Sequence, residues 1–182
     1  MAKVAIMLAD GTEEIEALTV VDILRRAGIT IDTISIMERD YIVSSHNIKI
    51  TCDLAFEQAD KNSYDAIVLP GGMPGTNHLM AHDGVCSWAK DYASSGKLVS
   101  AICAAPSILG TLGLLDGYKA TCFPGFEDKL TGATLINAPA VTDRNRITGK
   151  GMGAAIDFSL AILSYLTDQA TADDISAKIQ YK

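Results

Sequence analysis

Four short apolar, β-branched runs recur along the chain: Lys3 to Leu8, Ile29 to Ile36, Ala66 to Leu69 and Leu98 to Ile102. Each has the length and composition of a strand buried on both faces. Between the first two, Glu13 to Ala27 is built of good helix formers, with apolar residues at Ile15, Leu18, Ile23 and Leu24, and Gly28 follows as a stop. The spacing predicts further helices over Asp83 to Ser95, Pro106 to Leu115 and Met152 to Leu166, and a last short one opening at Thr171. Alternating Ile48, Ile50 and Cys52 predict a small hairpin or edge strand; shorter strands are expected at Lys119 to Cys122 and Ile147 to Thr148. Strands alternating with helices require an open α/β sheet covered on both faces.

At 182 residues and 48% hydrophobic content, residues 1–182 are expected to form a single domain with one well-filled core. A net charge of −7 leaves no broad cationic surface for a phosphate backbone, so no direct nucleic-acid partner is expected. No run of about 18 apolar residues is present, which argues against an ordinary membrane-spanning helix. The opening residues read as a first strand rather than a signal peptide, giving a cytoplasmic expectation. The four cysteines, Cys52, Cys86, Cys103 and Cys122, show neither a Cys-x-x-Cys pair nor a histidine at metal-ligand spacing. Free thiols, no metal and no cofactor are the expectation.

In a sheet of this type, ligands bind beyond the carboxyl ends of the strands. Three segments there stand out: Asp10-Gly11-Thr12-Glu13-Glu14-Ile15-Glu16, Pro70-Gly71-Gly72 and Cys103-Ala104-Ala105-Pro106. Cys103 marks a strand-to-helix turn with small neighbours, where a helix N-terminus would lower a thiol pKa and favour thiolate. Free cysteine is also a common core residue, and pattern does not choose between the two. The acids at the start of the first helix read as caps, with Asp10-x-x-Glu13 as a capping box; Glu16 differs in lying above Val20 and Ile23 on a covered face. Pro70-Gly71-Gly72 is either a turn or a place where backbone N–H groups approach a substrate oxygen. The glycines of Gly149-Lys150-Gly151-Met152-Gly153 match no nucleotide fingerprint and read as a turn before the last long helix.

Taken in order, Ala9 to Glu16, Val21 to Gly28, Tyr64 to Gly72 and Ala101 to Pro106 resemble the ThiJ/PfpI superfamily, on its DJ-1 branch, over nearly the whole chain. The resemblance implies a flavodoxin-like three-layer sandwich with a mostly parallel central sheet, similar to class I glutamine amidotransferases, and a homodimer. It implies Cys103 as nucleophile and Glu16 as a protonated carboxyl partner. The N–H groups of Gly72 and Ala104 would form an oxyanion site, with Gly71, Arg26 and His46 at the substrate pocket. Two positions depart from the family pattern. Phe123 stands where many relatives carry a histidine, and His46 stands where they carry an arginine.

The activity implied is a glutathione-independent glyoxalase or deglycase, acting on methylglyoxal, another small reactive aldehyde, or a glycated adduct. The alternative is a redox-sensing stress protein or holding chaperone working through Cys103 oxidation. A peptidase role is disfavoured by Ala104, which stands where the PfpI branch has histidine. A thiazole-synthesis role is disfavoured by the lack of a phosphate-binding motif.

Overall fold

The computed structural model describes residues 2–181. The elements run β1 (Lys3–Leu8), α1 (Glu14–Arg26), β2 (Thr30–Ser35), β3 (Tyr41–Val43), β4 (Lys49–Thr51), β5 (Leu54–Ala55), β6 (Ala66–Leu69), α2 (Gly75–Ala81) and α3 (Asp83–Ser94). They continue with β7 (Leu98–Ile102), α4 (Pro106–Thr111), β8 (Lys119–Ala120), β9 (Thr134–Leu135), β10 (Ala140–Asp143), β11 (Arg146–Gly149), α5 (Ala155–Leu166) and α6 (Gln169–Lys178).

Seven strands form the central sheet in the order β10-β11-β7-β6-β1-β2-β5. All its pairs are parallel except β10 with β11. Successive side chains of β1 enter opposite layers: Val4, Ile6 and Leu8 join a core with α1, α5 and α6, while Ala5 and Met7 join one with α2, α3 and α4. Burial on both faces is why the strands read as apolar runs. The result is a flavodoxin-like three-layer α/β/α sandwich.

The hairpin expected near Ile48 to Cys52 is β3 with β4, which pair apart from the main sheet. Several boundaries differ from the sequence reading by a few residues, and one helix is new. Helix α4 stops at Thr111 rather than Leu115, because Gly113 turns left-handed at φ 71° and Leu114 N–H returns to the Leu109 carbonyl at 2.8 Å. Helix α6 begins before Thr171, because the Asp168 carboxylate takes the Thr171 N–H at 2.7 Å as an N-cap. Helix α2 was not foreseen; it opens on a glycine and is only seven residues long. Among the described residues no helix is long and apolar enough to cross a membrane.

The strand order reverses at β1 and β6, so the segments following β1, β6 and β7 converge at one rim.

Candidate functional site

Two of the three converging loops meet backbone to backbone. A Cβ added to Gly11 would lie 2.4 Å from Pro74 Cδ, and one on Gly72, at φ 90°, would lie 2.3 Å from Glu13 N and 2.5 Å from Gly11 O. Glycine is required here because no side chain fits between the chains and because Gly72 is left-handed. Glu13 N–H donates to Gly71 O at 3.0 Å, which ties the start of α1 to the β6 loop.

The third loop carries Cys103, at φ 67°, between β7 and α4. A left-handed non-glycine residue costs conformational energy and persists only where its surroundings hold it. Two hydrogen bonds do so: Cys103 N–H donates to Gly149 O at 2.9 Å, and Phe123 N–H donates to Cys103 O at 2.8 Å. The turn places the thiol beside the backbone N–H groups of Gly72 and Ala104, both of which favour its ionised form. These are the two groups that the resemblance implies as an oxyanion site.

Glu16, in the first turn of α1, is 1% exposed. Its Oε2 accepts the Gly71 N–H at 3.0 Å, while Oε1 is buried with no hydrogen-bond partner of standard geometry. The carboxyl's neighbour is the Cys103 thiol, and the two perturb each other's ionisation. Gly71 lies between them, since a Cβ there would sit 2.6 Å from both Cys103 Cβ and Glu16 Oε2. Its N–H is already committed to Glu16, so Gly71 orients the carboxyl rather than offering a donor to substrate.

Burial raises Glu16 from an ordinary 4.5 to about 7, against the opposing hydrogen bonds from Cys103 and Gly71. Burial and the neighbouring Glu16 charge push the Cys103 thiol up to about 12, against the Ala104 and Gly72 N–H groups. This corrects the expectation of a thiol lowered by a helix N-terminus. Helix α4 has six residues, and its favourable end is outweighed by burial and an adjacent carboxylate. The two groups titrate as a pair: one proton leaves near neutrality and the second is retained, because two adjacent buried anions repel. We expect iodoacetamide labelling of Cys103 to rise as pH increases through about 7, since the singly deprotonated pair is the reactive form. Cys103 should also react before Cys52 and Cys122, which are buried where Cys103 is partly exposed. Peptide mapping that finds Cys52, Cys86 or Cys122 modified first, or a Cys103 rate that stays flat from pH 6 to 8, would overturn this.

The expected capping box is absent. Glu13 is the N-cap, accepting from Ile15 N–H at 3.3 Å, whereas Asp10 holds both Arg39 NH2, at 2.7 Å to each oxygen, and the Val43 N–H at 2.8 Å. Asp10 thus fastens the hairpin to the rim. Arg39, a partner the sequence did not reveal, is 29 residues away.

His46 is at this rim, with Nδ1 2.8 Å from Glu14 Oε1 and 3.6 Å from Glu13 Oε2. Among the described residues, Glu13, Glu14 and His46 bring potential metal-ligand atoms within 4.8 Å of one another, a grouping that sequence spacing could not disclose. They already form a hydrogen-bonded cluster with Ser45, whose hydroxyl lies within hydrogen-bond distance of all three. Arg26 is a correction: it pairs with Asp22 at 2.6 Å and lies ten residues along α1 from Glu16, about 15 Å at the usual helical rise, so within one chain it does not line the thiol.

Residues 2–165 match the model of the DJ-1/PfpI family. The chain belongs to that family. The family assignment agrees with relatives that include the Parkinson disease protein 7 homolog of Danio rerio, 32% identical over 97% of this chain and 96% of that protein. Protein DJ-1 homolog B of Arabidopsis thaliana is 37% identical over 88% of this chain, but the chain spans only 37% of that protein's length, and 45% of its homolog A. Among solved structures, an alanine-for-cysteine variant of a DJ-1 superfamily protein from Salmonella typhimurium superposes with a TM-score of 0.93 at 36% identity, covering all of both chains. An oxidised DJ-1 of Toxoplasma gondii superposes at 0.95 and 31% identity, covering 100% of this chain and 99% of that one.

Proposed function

We propose that this DJ-1/PfpI protein is a cysteine-dependent, glutathione-independent glyoxalase or deglycase. The observation carrying this reading is a thiol held at a left-handed turn, flanked by the Gly72 and Ala104 N–H groups and by a buried carboxyl of pKa about 7. A general acid or base works best when its pKa is near the working pH. One relative, from Pyrococcus abyssi, is named a deglycase and is 31% identical over 83% of this chain.

The Cys103 proton passes to Glu16 as sulfur adds to the aldehyde carbon of methylglyoxal, and the hemithioacetal oxygen is held by Gly72 and Ala104. That oxygen then takes the proton from Glu16, and the freed carboxylate moves a proton from this carbon to the adjacent ketone carbon, through an enediol, leaving a lactoyl thioester. Water then cleaves the thioester to lactate and restores the thiol. Atoms balance as methylglyoxal plus water to lactate. Adducts that release or present the same carbonyl follow the same first step.

Incubation with methylglyoxal, with lactate quantified and the Cys103 adduct followed by intact-mass spectrometry, tests the reading. Wild type should form lactate catalytically while Cys103→Ser forms none. No lactate, together with a stable oxidised Cys103 under mild peroxide, would reject it in favour of redox sensing. That second reading draws support from the unpartnered Glu16 Oε1, which suits a sulfinate oxygen, and from the oxidised form of the Toxoplasma protein.

We further infer a homodimer. Ile15 and Leu18 on α1 are 48% and 40% exposed, and Ile48 beside the hairpin is 49% exposed, apolar side chains that a second copy of the chain would cover. Light scattering should return twice the 19.3 kDa chain mass at micromolar concentration; the mass of one chain would refute it.

A further inference from the structure

We propose that a trough beside Cys103 receives an apolar substituent of the carbonyl substrate, so that aryl and branched-alkyl 1,2-dicarbonyls are taken in preference to methylglyoxal. This rests on reading Cys103 as a carbonyl nucleophile. The trough, about 550 Å³, lies between residues 123–124 and 150–154, with Pro139 and Ala138 behind. Phe123, which lines the trough, donates its N–H to Cys103 O at 2.8 Å, and Lys150 on the other wall follows Gly149, whose carbonyl accepts the Cys103 N–H, so the trough adjoins the turn that carries the nucleophile.

Its surface is unusually apolar for a place so open to water. Phe123 and Met152 are 47% and 54% exposed, and the Phe123 ring lies across Gly151, where an added Cβ would meet Phe123 Cδ2 at 3.1 Å. Two charged side chains join the lining, and both are engaged: Lys150 Nζ donates to Asn137 Oδ1 at 2.7 Å, and Asp157 Oδ2 accepts the Tyr181 hydroxyl at 2.7 Å. A phenyl or branched alkyl group gains by leaving water here, whereas the methyl of methylglyoxal is too short to cover either side chain. Phe123, in the place of a histidine in many relatives, therefore serves specificity rather than proton transfer.

The test compares phenylglyoxal with methylglyoxal in wild type, Phe123→Ser and Met152→Ser, all as the full chain. Wild type should show kcat/KM at least about tenfold higher for phenylglyoxal, the scale on which an apolar pocket discriminates. Either substitution should lower that ratio by about five- to tenfold. A wild-type ratio at or below one, or a ratio that neither variant moves, overturns the proposal. Alkylation of Cys103 by N-benzyl-2-iodoacetamide against iodoacetamide separates this from the glyoxalase reading, because it needs no turnover. If neither dicarbonyl is converted, a benzyl preference at least about fivefold above that of free cysteine, and reduced in Met152→Ser, upholds the trough while the glyoxalase reading falls. A preference equal to that of free cysteine rejects the trough. Loss of dimer in Met152→Ser with the ratio unchanged would make the trough a subunit contact and overturn the proposal as well.

Discussion

Glu16→Gln should lower methylglyoxal turnover by about two to four powers of ten, the usual contribution of a positioned general acid or base. Glutamine fills the same buried space and can take the Gly71 N–H at its carbonyl oxygen, but it cannot carry a proton between carbons. The step in Cys103 labelling near pH 7 should vanish too, because the group that loses the first proton of the pair is gone. A second consequence has the opposite sign. An acid whose folded pKa is raised stabilises the fold while protonated, and that contribution is lost as pH rises through the folded value. Lifting Glu16 from 4.5 to about 7 therefore costs wild type roughly 3 kcal/mol at pH 8.5 relative to pH 4.5. Urea unfolding should show Glu16→Gln gaining on wild type by about this amount between those pH values. Glu13→Gln is the control, since Glu13 caps α1 and should cost about 1 kcal/mol with turnover within a few-fold of wild type. If Glu16→Gln turns over like wild type, or Glu13→Gln is equally damaged, the assigned role of Glu16 is wrong.

Gly71→Ala is the second large effect, and it acts by position alone. The new methyl would lie 2.6 Å from Cys103 Cβ, 2.6 Å from Glu16 Oε2 and 3.0 Å from Ile102 O. None of these atoms belongs to the free end of a flexible side chain, because Glu16 is buried and Cys103 is fixed at both peptide groups. The carboxyl and thiol must therefore separate. Misplacement by about 1 Å lowers rate by about a hundredfold, and overpacking costs about 1–3 kcal/mol of stability. Thermal unfolding and turnover should both fall, with the neutral-pH labelling step displaced or lost. A stable Gly71→Ala protein with full turnover would show that the contact between thiol and carboxyl is dispensable.

Much of this was legible in the sequence because parallel strands announce themselves as apolar runs and the site lies at their carboxyl ends. The residues after β1, β6 and β7 could be named from chain order alone. What stayed hidden depends on pairs far apart in sequence. The thiol looked acidic because its place at a helix start is local information, while the carboxyl that opposes it is contributed by another element. Asp10 looked like a cap until Arg39 and Val43 claimed it. The family arginine at position 26 carried an expectation of nearness that the length of α1 defeats within one chain. Gly71 was visible as a turn residue, but its role in aiming Glu16 depends on a hydrogen bond across 55 positions.

The close seating of Gly11, Gly72 and Gly75 against neighbouring backbone has a consequence for how such a protein can diversify. Because main chain abuts main chain there, nearly every substitution on that side of the thiol is excluded, and the acid and the oxyanion donors are inherited as one unit. On the opposite side, Phe123 and Met152 reach half into solvent and can be exchanged with little disturbance to the fold. A lineage built on this scaffold is therefore free to try new substrates by changing one wall while the chemistry of the other stays as it is.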